Sequence, residues 1–171
     1  MLYGSARELL LRHTDVETAW HIVLRIVVGT YWIYFSIMKW FDRSWVSDLL
    51  STAANGSYLP GYNQLLRYAA SNPGSIAIAV TILETVIGLL ILLGIFARVG
   101  ATLGAFLGLN LLLTFAFCKC QWAQGDFPLV FWFYFFPIIL NLQVAFDKSS
   151  RAFGLQKIVG KMHVSDVSRE D

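Results

Sequence analysis

The chain has 171 residues, of which 57% are hydrophobic and only 14% are charged, and its formal net charge is +2. A soluble globular domain carries about 25% charged residues, so the composition excludes an ordinary soluble protein. A net charge this small gives no reason to expect a nucleic-acid partner. The mean hydropathy of +0.60 instead indicates an integral membrane protein surrounded by lipids.

Apolar segments long enough to cross a bilayer occur in the chain, each with about 20 residues at ~1.5 Å of rise per residue. They lie at about residues 20–41, 75–97, 99–118 and 128–146. The sequence therefore predicts an all-α protein, a four-helix transmembrane bundle. Residues 1–171 are expected to form a single integral membrane domain, with a tail at 148–171.

The segment between the first two spans is expected to be structured and extracytoplasmic, with short helices separated by Asn55-Gly56 and Pro60-Gly61. Lys and Arg predict this orientation, because cytoplasmic segments carry an excess of them. They are concentrated in the tail and at Arg98, in the turn between the second and third spans. Both termini are therefore expected on the cytoplasmic side of the cell membrane.

Two charges lie deep inside the first two spans, at Arg25 and Glu84. A charge at mid-membrane depth costs roughly 2.5 to 3.5 kcal/mol, so such a residue usually faces a partner or a cavity. Depth counted along the two helices predicts that Arg25 and Glu84 are partners. The pair either fixes the helix register or belongs to a polar pocket, with Trp32 on the Arg25 face, where a redox-active head group exchanges protons with Glu84.

The outer end of the first span carries Lys39 and Arg43 one helical turn apart, with Trp40 and Trp45 around them. Interfacial anchoring by Trp and Lys explains such a cluster. The alternative is an anion site, because two cations held against aromatic walls would concentrate a small dianion.

The third span carries a glycine row, Gly100, Gly104 and Gly108, which predicts close helix packing on one face. Its outer end carries Cys118-Lys119-Cys120, which holds the only two cysteines of the chain. On the oxidising side they can form a disulfide, and the single intervening residue would strain it and make it more reducible. The alternatives are free thiols that only fill space, or a pair of metal-binding cysteines that would need ligands this chain lacks.

The fourth span is aromatic in its outer half and contains Pro137, which is expected to bend it, and Asn141. The histidines are scattered along the chain and indicate no haem or metal site. A transporter is disfavoured, because the chain shows no paired broken helices.

Several of these segments resemble the DoxX superfamily. Glu84–Arg98 resembles the family's second span, and Leu24-Arg25 with Gly29 and Lys39 resembles its first span. The aromatic segment Asp126–Tyr134 is similar to the archaeal DoxD branch. The similarity includes the sequence CKCQW before this segment and the residues up to Asn141 after it. That branch is the membrane subunit of thiosulfate:quinone oxidoreductase.

The resemblance implies oxidation of thiosulfate to tetrathionate at the outer face, with electrons passed to a caldariella-type or other membrane quinone. It also implies a smaller DoxA-like partner subunit, and we expect an oligomeric complex without resident metal or haem. The alternative is an accessory subunit of a terminal quinol oxidase that has no catalysis of its own.

The candidate residues fall into three groups under this hypothesis. Substrate binding is assigned to Lys39, Arg43, Lys119 and Trp122, quinone binding to Arg25, Trp32 and Glu84, and catalysis to Cys118, Cys120 and Glu84. One thiosulfate would attack the disulfide to give a mixed thiosulfonate, and a second would attack that adduct to release tetrathionate. Quinone would then reoxidise the dithiol.

Overall fold

The computed structural model describes residues 3–119 and 127–147, and the side chains within 19–119 and 129–147. In these ranges the chain is helical, apart from turns and one isolated antiparallel bridge. The helices are α1 (Tyr3–Phe41), α2 (Ser44–Gly56), α3 (Tyr62–Ser71), α4 (Pro73–Leu93), α5 (Ala97–Phe115) and α6 (Phe127–Phe146).

Four helical segments are long and apolar enough to cross a membrane, which confirms the predicted all-α transmembrane bundle. They are Ala19–Phe41 of α1, Pro73–Leu93, Ala97–Phe115 and Leu129–Phe146. Along the chain, α1 packs on α4, α4 on α5 and α5 on α6, and α6 packs back on α1. The spans therefore form a closed four-membered bundle.

The second span is shorter than the predicted 75–97, because α4 ends at Leu93. Gly94 has φ 70° in the left-handed region, a conformation that glycine adopts without steric cost and that commonly ends a helix. Phe96 is also left-handed, at φ 53°. The apolar residues continue through this turn, so hydropathy alone does not locate it.

The first span begins at the end of the bundle where the last span finishes, because His21 Nδ1 lies 3.0 Å from Asp147 Oδ2. That contact is a charge attraction when His21 is protonated, since the two atoms lack the alignment of a hydrogen bond. Arg98 Nη2 also donates to the Asp147 carbonyl at 2.6 Å. We call this the terminal end, and the opposite end, which carries α2 and α3, the hairpin end.

The helices α2 and α3 form a hairpin attached to the bundle. They pack on each other through Ala53, Ala54 and Leu66. After α5, the chain pairs with the α2–α3 connection, where Tyr58 N donates to the Phe117 carbonyl at 3.0 Å. At the start of α2, hydrogen bonds from Ser44 Oγ and Ser44 N lower the pKa of Asp42.

Glycines set the closest helix contacts of the bundle. A β-carbon on Gly88 of α4 would lie 3.0 Å from the Gly29 carbonyl of α1, so these two backbones approach closely. The predicted glycine row of α5 does pack closely, but against more than one neighbouring helix. A β-carbon on Gly100 would lie 2.8 Å from a side chain of α4, and one on Gly108 would lie 3.0 Å from a side chain of α6.

Helix α6 continues through Pro137 without interruption. Proline has no N–H, so it cannot donate to the carbonyl of Phe133. Asn141 Nδ2 donates to the Pro137 carbonyl at 2.7 Å, and Trp32 Nε1 donates to Asn141 Oδ1 at 3.2 Å. The side chain of Asn141 thereby joins α6 to α1, while the bend expected at Pro137 stays a prediction.

The cytoplasmic location of the termini also stays a prediction, and cysteine labelling in intact cells tests it. A membrane-impermeant maleimide should label Ser51→Cys, an exposed position on α2, and should not label Ser165→Cys in the tail, because the basic tail is expected inside. The unchanged chain controls for its own cysteines, and permeabilised cells control for reagent quality. Labelling of the tail alone would reverse the orientation.

Candidate functional site

A buried ion pair between α1 and α4 is the main polar contact within the spans. Lys39 Nζ donates to Glu84 Oε1 at 2.8 Å and to Oε2 at 2.7 Å. Lys39 is 6% exposed and Glu84 is fully buried. The ammonium also lies 5.5 Å from the ring centroid of Trp45 and 5.8 Å from that of Phe35. Both charges are therefore enclosed, and each is the direct partner of the other.

The predicted pairing of Arg25 with Glu84 is wrong. Arg25 Nε donates to the Ile91 carbonyl at 3.3 Å, and the charge of Asp147 acts on its guanidinium. Ile91 lies seven residues beyond Glu84 on α4, which at ~1.5 Å per residue is about 10 Å along the axis. Arg25 therefore belongs to the terminal end of the bundle and not to the Glu84 site.

The reason lies in the direction of helical side chains, which lean toward the N-terminus of their own helix. Helix α1 runs toward the hairpin end, so Lys39 leans back into the bundle and Arg25 leans toward the terminal end. Helix α4 runs the other way, so Glu84 leans toward the hairpin end and meets Lys39. A count of residues along the two helix axes does not include this displacement of the side chains.

A cavity of about 230 Å³ lies next to the ion pair, between the spans and the α2–α3 hairpin. Its walls are mostly apolar and come from all six helices, with Lys39 and Glu84 contributing the charges. Trp32, one of the predicted quinone-binding residues, lines it too, and is 1% exposed. A concave, mostly apolar space with few polar groups is the usual form of a small-molecule site.

Two phenol groups join the ion pair at this cavity, those of Tyr31 and Tyr134. The charge of Glu84 acts on both. In the described parts of the chain, neither hydroxyl has a hydrogen-bond partner. The two phenols can therefore donate hydrogen bonds to a ligand, in the same region as the carboxylate.

A third phenol, Tyr62, connects the hairpin to the bundle. Its hydroxyl lies 3.1 Å from the Asn110 carbonyl and 3.0 Å from Thr114 Oγ1 of α5. Burial raises the pKa of Tyr62, and the hydrogen bond with Thr114 opposes this rise. This contact holds α3 over the cavity.

The structure does not gather the predicted anion-site residues around the cavity. Of Lys39, Arg43 and Lys119, only Lys39 lines it, and that ammonium is already paired. The guanidinium of Arg43 lies 5.6 Å from the Trp40 ring, and Lys119 Nζ lies 5.3 Å from the Tyr58 ring. Trp122 lies outside the described residues. The anion site stays a prediction.

Cys118, one of the two predicted catalytic cysteines, does not line the cavity either. Cys118 is disulfide-bonded and 1% exposed, and its backbone pairs with Ser57 in the isolated bridge. The other cysteine of the chain, Cys120, lies outside the described residues. An electron relay through these sulfurs stays a prediction.

Sequence reasoning missed the phenols and the part of the wall that α3 supplies. Tyr31 and Phe35 precede Lys39 by eight and four residues, so helical spacing does place them on the Lys39 face. Tyr134 lies in an aromatic run that gives no such signal. The contribution of Tyr62 depends on how the hairpin folds over the bundle, which no local pattern encodes.

We expect Glu84→Gln to lower the free energy of unfolding by about 3 to 5 kcal/mol, because it leaves the Lys39 charge buried and unpaired. Adding Lys39→Met should restore most of this loss, since no buried charge then remains. The matched control adds Arg25→Met to Glu84→Gln and should restore nothing. Unfolding of the detergent-solubilised variants measures these differences. Recovery with Arg25→Met in place of Lys39→Met would contradict the observed pairing.

Comparison with known proteins places this site in a family. The sequence model of DoxX matches residues 21–117, more than half of the chain. No curated protein and no solved structure matches the chain. The matched region runs from the first span to the end of α5 and contains both Lys39 and Glu84. The chain therefore belongs to the DoxX family of membrane proteins.

Proposed function

We propose that this protein is the quinone-binding membrane subunit of an oxidoreductase, and that the head group binds in the cavity beside Lys39 and Glu84. The observation that carries the proposal is the cavity itself, an apolar space of about 230 Å³ with one buried ion pair in its wall. Membership of the DoxX family is consistent with a subunit associated with membrane redox enzymes.

The residues around the cavity fit such a ligand. A quinone ring is flat and apolar and carries carbonyl oxygens that accept hydrogen bonds. The phenols of Tyr31 and Tyr134 are donors on the cavity wall that can reach such oxygens. When bound, a quinone supplies an acceptor for two electrons and two protons.

Glu84 is the residue suited to hold a proton near the ring. It is fully buried, its carboxylate is fixed by both hydrogen bonds from Lys39, and it is close enough to act electrostatically on Tyr31 and Tyr134. An ionisable residue at this depth in a membrane is expensive and usually functional. Lys39 positions the carboxylate, and the apolar walls exclude water from it.

The electron donor we propose is thiosulfate, on the strength of the resemblance to the DoxD branch. Two thiosulfate ions would lose one electron each and join through a new S–S bond as tetrathionate, and the quinone would take up both electrons with two protons. With cytoplasmic termini, the hairpin end and the cysteines would face the outside, where thiosulfate would react. A smaller DoxA-like subunit is the partner implied by the same resemblance.

A second candidate function is an accessory subunit of a terminal quinol oxidase. It is favoured because the cations proposed to bind thiosulfate already have other contacts. Lys39 is bound to Glu84, and Arg43 and Lys119 lie over aromatic rings. The burial of Cys118 likewise gives no support to direct attack of thiosulfate on this sulfur. Quinone binding is common to both candidates, and thiosulfate oxidation belongs only to the first.

Filling the cavity tests quinone binding. Val80→Trp adds an indole at a position that lines the cavity, so we expect the affinity for a decyl-tailed benzoquinone to fall by about tenfold or more, which is ~1.4 kcal/mol. Val86→Trp is the matched control, since Val86 lies on the same helix, is 42% exposed and does not line the cavity. Isothermal titration in detergent measures both, and equal affinities in the two variants would refute the cavity site.

Serine variants test the cysteine relay in the complex purified from native membranes. If Cys118 and Cys120 carry electrons, Cys118→Ser or Cys120→Ser abolishes thiosulfate-dependent quinone reduction and leaves quinone binding intact, because a covalent intermediate is lost. A structural disulfide predicts lower thermal stability with unchanged turnover per folded molecule. Turnover of the double serine variant at the wild-type rate would exclude the relay.

A further inference from the structure

We infer that the ligand of the cavity carries a long apolar tail, and that this tail lies in a groove between the hairpin ends of α5 and α6. The inference rests on the proposed function, because it assigns the route and the second half of the same ligand. It adds a second binding surface and a passage from the membrane to the site.

The groove has a volume of about 350 Å³ and opens on the side of the bundle. It is lined by Leu49, Phe115, Leu129, Val130, Phe133 and Tyr134. None of these described residues is charged. Leu129 is 70% exposed and Phe133 is 45% exposed, and both lie on the transmembrane segment of α6, so in a membrane the open side of the groove faces lipid.

The groove and the cavity share one wall. Phe115, Phe133 and Tyr134 line both spaces. Phe115 and Tyr134 are stacked with ring centroids 5.3 Å apart, and Phe133 is perpendicular to Tyr134 at 5.1 Å. Side chains from α5 and α6 therefore separate the two spaces at this wall.

This wall is suited to opening. Phe133 is partly exposed, so its ring has room to turn toward lipid. The carbonyl of Phe133 also lacks the usual helical donor, because residue 137 is proline. Helix α6 is the least buried of the four spans. These features favour opening of the wall at Phe133.

The size of the cavity explains why a tail must leave it. A space of about 230 Å³ accommodates a substituted ring, and a long alkyl or isoprenoid chain does not fit beside it. The shared wall leads directly to a groove open to lipid whose described lining residues are uncharged, which suits such a chain. Because lipid is as apolar as the groove, the tail gains packing contacts and not hydrophobic burial, so we expect a moderate gain in affinity.

The test compares two probes, a methoxy-substituted benzoquinone without a tail and the same ring with a decyl tail. Val130→Trp narrows the groove without adding to the cavity wall, because Val130 lines only the groove. We expect its affinity for the decyl compound to fall by about tenfold and its affinity for the tailless ring to stay the same. Ile139→Trp is the matched control, since Ile139 lies on α6, is 45% exposed and lines neither space.

The outcomes separate the groove from the cavity. Unchanged affinity of Val130→Trp for the decyl compound, or an equal loss for both probes, would overturn the groove while leaving the cavity site in place. A change in oligomeric state of Val130→Trp without a change in tail affinity would show that a second copy of the chain covers the groove, and would also overturn the inference. Failure of both probes to bind the unchanged protein would refute the proposed function itself.

Discussion

The structure depends on one constraint, which is that the charges of Lys39 and Glu84 must satisfy each other inside the bundle. Each would be costly alone at this depth, and together they form two short hydrogen bonds with both groups buried. The pair therefore fixes which residues of α1 and α4 lie at the same level. Gly88, one helical turn after Glu84, and Gly29 then allow the two backbones to approach closely.

The cavity follows from this arrangement and from the hairpin above it. The ion pair occupies the wall between α1 and α4, while Tyr62 hydrogen-bonds α5 and holds α3 across the opening. Aromatic side chains from α1 and α6 complete the walls. A site with a fixed buried carboxylate, free phenols and apolar walls is suited to a neutral ring that must receive protons, which is why we favour a quinone over a free anion.

The terminal end of the bundle has its own polar contacts, and they are structural. Arg25 donates to the Ile91 carbonyl, and Arg98 donates to the carbonyl of Asp147. A side chain at position 94 would collide with the Arg25 guanidinium, so Gly94 is required both by this contact and by its left-handed φ of 70°. Arg25 therefore contacts this turn and does not line the cavity.

The sequence by itself determined the class, the number of spans and the residues that demanded explanation, because hydropathy and length are properties of the chain alone. It singled out Glu84 and Arg25, since a charge inside an apolar run is visible without a structure, and it placed Lys39 at the outer end of the first span as an interfacial anchor or part of an anion site. Only the tertiary structure decided that Lys39 and Glu84 are partners, because the lean of side chains along opposed helices adds several ångströms that residue counting omits. It also supplied Tyr62 and Tyr134, whose approach to the cavity depends on contacts between segments far apart in the chain.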